Sequence, residues 1–94
     1  MAHYKIRYRL RNIDELRSFI VNPPKRLLKR DLTDAIQGVP TSARLLSNDI
    51  WGWIKSHCSD RLVDASSISV DVYTDDGEHL SLPLNVINAS FNEL

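Results

Sequence analysis

The sequence predicts a small α+β domain of order β-α-α-α-β-β, a three-stranded sheet with three helices packed on one face. Three observations predict it. Residues 3–11 alternate strictly between apolar and polar, residues 12–58 hold three stretches with apolar residues at helical spacing, and two more alternating runs flank Asp75-Asp76-Gly77. Ninety-four residues are read as one domain spanning 1–94.

The first strand is HYKIRYRLR. Tyr4, Ile6, Tyr8 and Leu10 share one side, and His3, Lys5, Arg7, Arg9 and Arg11 share the other. Asn12 then suits a helix cap with Glu15 reaching back to it, and Ile13, Leu16, Phe19 and Ile20 form an apolar stripe. That helix must end near Val21, ahead of Pro23-Pro24. A second helix is expected over about 24–37, with Leu28, Leu32, Ala35 and Ile36 inward, Gly38 just past its end and Pro40 beyond. Its first turns carry Lys25, Arg26, Lys29 and Arg30, an order that opposes the helix dipole and so suggests use of the cluster.

The third helix, about 42–58, is capped by Thr41 and turns Leu46, Ile50, Trp53, Ile54 and His57 to one face. Trp51 lies off the centre of that stripe and is expected to be partly exposed. Gly52, flanked by two tryptophans, suggests close approach of another backbone. The last two strands form a hairpin. A two-residue turn at Asp76-Gly77 would set Val72 against Ser81, apolar against polar. A three-residue loop, Asp75-Asp76-Gly77, pairs Val72 with Leu80, Val70 with Leu82 and Ile68 with Leu84, and gives Gly77 the left-handed position. Three antiparallel helices would return the chain so that the first strand runs parallel to the second. Pro83 favours an edge strand, which points to order 1-2-3, with 2-3-1 also open.

Formal net charge is zero, but its distribution is uneven. Residues 1–30 carry nine Lys/Arg and two acids, whereas residues 31–94 carry three Lys/Arg and ten acids. No apolar run reaches the length of a membrane span, the first residues contain no apolar signal segment, and Cys58 is the single cysteine. These features point to a cytoplasmic setting. No catalytic signature is present. His57 and Cys58 are neighbours in sequence and would point about 100° apart on a helix, at the end where the dipole disfavours a thiolate. His3, His57, His79 and Cys58 lack metal-ligand spacing, and aligning Gly77 with the glycine of a calcium loop puts Val72 and Thr74 where ligands belong. Neither a metal nor a cofactor is expected.

The sequence therefore predicts a non-catalytic protein-interaction or regulatory module, an adaptor or inhibitor. It would bind an acidic protein surface through the sheet face of Lys5, Arg7, Arg9, Arg11, Tyr73 and His79, with Lys25, Arg26, Lys29 and Arg30 as a second basic group. The alternative is a nucleic-acid-binding protein using the same cations, spaced about 6.5–7 Å apart, with Tyr73 as a stacking platform. Self-association through Trp51 or the open face is a further expectation.

Overall fold

The computed structural model describes residues 3–22 and 29–91. The chain runs β1 (His3–Arg9), β2 (Leu16–Val21), α1 (Lys29–Ile36), α2 (Pro40–Lys55), β3 (Ser69–Tyr73), β4 (His79–Ser81) and α3 (Leu84–Ile87). Short 3-10 turns stand at Asp60–Leu62, Ala65–Ser67 and Ala89–Phe91. The α+β class holds, but among the described residues the sheet has four strands, in order β2-β1-β3-β4, each pairing antiparallel.

β1 keeps its expected pattern. Tyr4, Ile6 and Tyr8 are buried, and His3, Lys5, Arg7 and Arg9 face the other way. The main departure is the expected helix over 13–21, which is strand β2. Asn12 does not cap a helix; it adopts φ 62, a left-handed turn that Asn tolerates, and the Ile13 N–H donates to the Leu10 carbonyl across it. Tertiary context decides the rest. At the end of β1, Arg9 directs its backbone toward the turn that leads into β3: its carbonyl accepts from the Asp64 N–H and its N–H donates to the Ser67 hydroxyl. The alternate residues Tyr4, Ile6 and Tyr8 therefore point backbone groups to the opposite side, and β2 satisfies them. Phe19 meets Tyr8 edge-on, and its ring stacks on His57 at 3.9 Å, pinning β2 to the turn after α2. Of the helix stripe, Ile13, Leu16 and Ile20 end up exposed.

The expected parallel pairing is also corrected. After α2 the chain passes the far end of β1, where Val63 bridges Leu10, before β3 begins with Ser69 opposite Arg7. β3 must then run back along β1, antiparallel. The neighbour relations β1-β3-β4 match order 1-2-3, with β2 added outside. The hairpin register also matches: Val72 faces Leu80, the Leu82 N–H donates to the Val70 carbonyl, and Gly77 has φ 86. The Ile68–Leu84 pair does not form, because Pro83 ends the run and leads into α3.

α1 ends in a Schellman motif. Gly38, at φ 93, donates to Ala35, and Val39 donates to Asp34. Pro40 is the first residue of α2 rather than a residue beyond α1, and Thr41 does not cap; Val39 holds the cap position without a side-chain bond. Buried residues of α2 include Leu46, Ser47, Ile50, Trp51 and Ile54. Trp51 is thus core rather than surface, because α3 and the turn after it cover that side. Its Nε1 donates to Asn88 Oδ1 at 3.2 Å, and Asn88 Nδ2 donates to the Ala65 carbonyl. Ser47 is fully buried, and its hydroxyl donates to the Ile87 carbonyl at 2.6 Å. The helices and α3 cover one sheet face, sealing Tyr4, Ile6, Tyr8, Val70, Val72 and Leu82 beneath them.

Among the described residues no other element approaches Gly52: it is exposed, and outside its own helix nothing lies within 4 Å of where a Cβ would stand. Gly52→Ala therefore raises stability by about 0.5–1 kcal/mol through helix propensity alone. The thermal midpoint rises a few degrees; a fall would show that the small residue serves packing.

Candidate functional site

The face of the sheet opposite the helices is built from alternate residues of four strands. β1 contributes His3, Lys5, Arg7 and Arg9, and β2 contributes Leu16, Ser18 and Ile20. β3 contributes Ser69, Asp71 and Tyr73, and β4 contributes His79 and Ser81. The register sets Ile20, Lys5, Asp71 and Ser81 in one row across the sheet and Ser18, Arg7 and Ser69 in the next. Leu16 lies beside Arg9 at the lower end.

The upper end is a stack of three rings. Tyr73 lies between His3 and His79, with centroids 4.6 and 4.7 Å away and interplanar angles of 18° and 8°. Both faces of Tyr73 are covered by imidazoles. Below the stack, Asp71 gathers polar groups. His79 Nε2 and the Ser81 hydroxyl each lie 3.0 Å from its Oδ1, and Arg7 Nη2 lies 3.9 Å from its Oδ2. The His79 hydrogen bond, then that of Ser81 and the Arg7 charge, hold the Asp71 carboxyl below its usual range despite partial burial.

A group with a depressed native pKa stabilises the fold fully above its unfolded pKa, about 4 for Asp, and that contribution is lost as pH falls through the lower folded value. The carboxylate's own contribution to the stability gap between wild type and Asp71→Asn is accordingly complete above about pH 4 and shrinks below that. Urea midpoints measured from pH 6 to 2 check this, and a gap that persists unchanged to pH 2 would show that the carboxylate charge contributes nothing.

The cations are less isolated than the alternation in the sequence suggests. Arg7 meets Asp71, and Arg9 Nη1 lies 4.0 Å from Asp14 Oδ1. Arg11 lies in the turn after β1, its N–H donating to the Leu62 carbonyl, and together with Arg9 it faces Asp64. Asp64 is held below its ordinary value chiefly by the hydroxyl and N–H of Ser66, with smaller contributions from Arg11 and Arg9. Arg7 and Arg9 are both half-exposed, and ion pairs this long at a surface contribute about 0–1 kcal/mol and exchange readily for a partner's carboxylates.

Lys5, Arg7, Arg9, Tyr73 and His79 thus share one face, with Arg11 at its lower rim. Lys25 and Arg26 lie outside the described residues, and of Lys29 and Arg30 only the backbone, in α1, is described. Sequence reasoning missed Leu16, Ser18 and Ile20 on this face, because their stretch fits a helical period as well. The adjacent Phe19-Ile20-Val21, rich in strand-favouring residues, was the available signal. Among the described residues no group of three or more His, Cys, Asp or Glu is placed to hold a metal, and no helix is long and apolar enough to cross a membrane. Compared with known proteins, the chain matches no family model, no curated sequence and no solved structure.

Proposed function

We propose that this chain is a protein-interaction module that binds an acidic partner surface through its open sheet face. The observation that supports this reading is the composition of the face. Lys5, Arg7 and Arg9 run down its second strand, with exposed Leu16 and Ile20 on one side and the Asp71 hub and ring stack on the other. Cations beside apolar side chains suit a protein surface carrying carboxylates and aliphatic groups, where charge steers the encounter and apolar contact retains it. Tyr73 favours this reading over nucleic acid. A base needs an open ring face to stack upon, and both faces of Tyr73 are occupied.

Fluorescence anisotropy tests the proposal, using a labelled peptide that alternates Glu and Leu and labelled 20-nucleotide single- and double-stranded DNA. The peptide is expected to bind at 50 mM salt, weaken at 200 mM, and lose at least tenfold in affinity with Arg7→Glu/Arg9→Glu. No peptide binding at 50 mM salt and 100 μM protein would overturn the reading. Tighter binding of the oligonucleotides, with a steep salt dependence, would replace it with the nucleic-acid one.

A further inference from the structure

The two edges of the sheet are built differently. β4 is three residues long and runs into Pro83, which blunts it. β2 is six residues long, LRSFIV, with no Pro, Gly or Lys, and it forms the outer strand of the order β2-β1-β3-β4. Arg17, Phe19 and Val21 turn their backbone groups to Tyr8, Ile6 and Tyr4 of β1, as the alternation set by Arg9 requires. Leu16, Ser18 and Ile20 therefore direct their N–H and C=O groups outward, along an edge where the side chains of Leu16 and Ile20 are 56% and 60% exposed.

We propose that β2 joins two copies of this chain, edge to edge and antiparallel, about a two-fold axis at Ser18. The three outward residues are self-complementary in a single register. With Ser18 opposite Ser18 of the second copy, Leu16 falls opposite Ile20 of that copy and Ile20 opposite its Leu16. All three pairs are hydrogen-bonded positions, so every outward N–H and C=O of 16, 18 and 20 finds a partner. A shift of two residues either way sets an aliphatic residue against Ser18 and leaves one outward residue of each copy without a partner. On the other face the same register puts Arg17 opposite Phe19 of the second copy, a cation beside a ring rather than beside a like charge.

The size of the contact sets its strength. Six residues a side is far fewer than the roughly 20–30 of a standard stable interface. The dimer is accordingly weak, forming at tens to hundreds of micromolar. Charge sets its salt dependence. The two rows of Lys5, Arg7 and Arg9 would stand three strand spacings apart, about 14 Å, and their repulsion is screened once the Debye length falls to a few ångströms. This inference rests on the backbone edge of β2 and shares only Leu16 and Ile20 with the acidic-partner reading; salt separates the two, because partner binding weakens with salt and the dimer strengthens.

Sedimentation velocity from 10 to 500 μM, at 50 and 500 mM NaCl, tests it. The expected result is a concentration-dependent shift from monomer to dimer, stronger at 500 mM, and its loss in Leu16→Lys/Ile20→Lys. A monomer at 500 μM in both salts, or a dimer untouched by the double variant, overturns the proposal. Cross-linking tests the register independently, in a Cys58→Ser background with oxidised glutathione as oxidant. Ser18→Cys, at the axis, should form a disulfide-linked dimer, since hydrogen-bonded antiparallel pairs lie about 5.5 Å apart at Cα. Leu16→Cys should cross-link at least tenfold more slowly, and equal rates would overturn the register. Far-UV circular dichroism of each variant confirms that it is folded.

Discussion

Trp51→Ala is expected to cost about 3–5 kcal/mol, the range for truncating a buried aromatic, which is a large share of the 5–15 kcal/mol that holds a domain of this size together. The ring is 4% exposed on α2, beneath the C-terminal segment. Its truncation opens a cavity and also releases Asn88, whose side chain links Trp51 to the Ala65 carbonyl and so ties that segment to the connector before β3. Trp51→Phe separates the two effects. It keeps most of the ring volume and loses the Nε1 hydrogen bond, for about 1–2 kcal/mol. Urea titrations followed by far-UV circular dichroism give both values. A cost below 1 kcal/mol for Trp51→Ala would place the indole at the surface.

Ile6→Ala is expected to cost about 2–5 kcal/mol. Ile6 is fully buried at the middle of β1, with Phe19 beside it on β2 and Val70 beside it on β3. A side chain flanked on both sides and roofed by helices leaves a void that its neighbours cannot readily fill. Ile20→Ala is the control, the same chemistry one strand away on the open face. At low micromolar protein it should change stability by no more than about 0.5 kcal/mol. The contrast between two isoleucines tests the inner position of β1 directly. In a three-stranded sheet with 13–21 helical, Ile20 would belong to the apolar stripe and cost as much as Ile6. Comparable costs would therefore restore the helix.

Much of the fold was legible because some residues permit few alternatives. The alternation of Tyr4, Ile6 and Tyr8 with His3, Lys5, Arg7 and Arg9 admits one face assignment for β1. Gly38 and Gly77 mark left-handed positions, one ending α1 and one turning the hairpin, and both have positive φ. The hairpin register is set because Val72 opposite Ser81 would leave an apolar side chain against a polar one, whereas Val72 opposite Leu80 does not. Alternation along each strand puts Lys5, Arg7, Arg9, Tyr73 and His79 on the polar side of its own strand, and the antiparallel pairing sets those sides on one face.

The stretch 13–21 was not legible. Its apolar residues satisfy a period of 3.6 at 13, 16, 19 and 20, and a period of two at 19 and 21. Local pattern does not choose between these; the unsatisfied outer side of β1 does, together with the Phe19–His57 stack that exists only once α2 ends nearby. The same holds for Trp51. Its angle on the α2 helical wheel marks it as peripheral, and only the return of residues 84–91 over that flank buries it.

Local pattern alone sets the α+β class, the inner and outer faces of β1 and the hairpin register about Gly77. Each of these follows from steric and period-two constraints within a few residues. Folding in three dimensions makes β1 an inner strand, brings Leu16 and Ile20 onto the basic face, and sets Asp14, Asp64 and Asp71 against its arginines. The physical reason is that backbone hydrogen bonds and ion pairs are satisfied across space. For residues 16–21 the partner strand and the nearest rings lie where the folded chain brings them, beyond the reach of any local pattern.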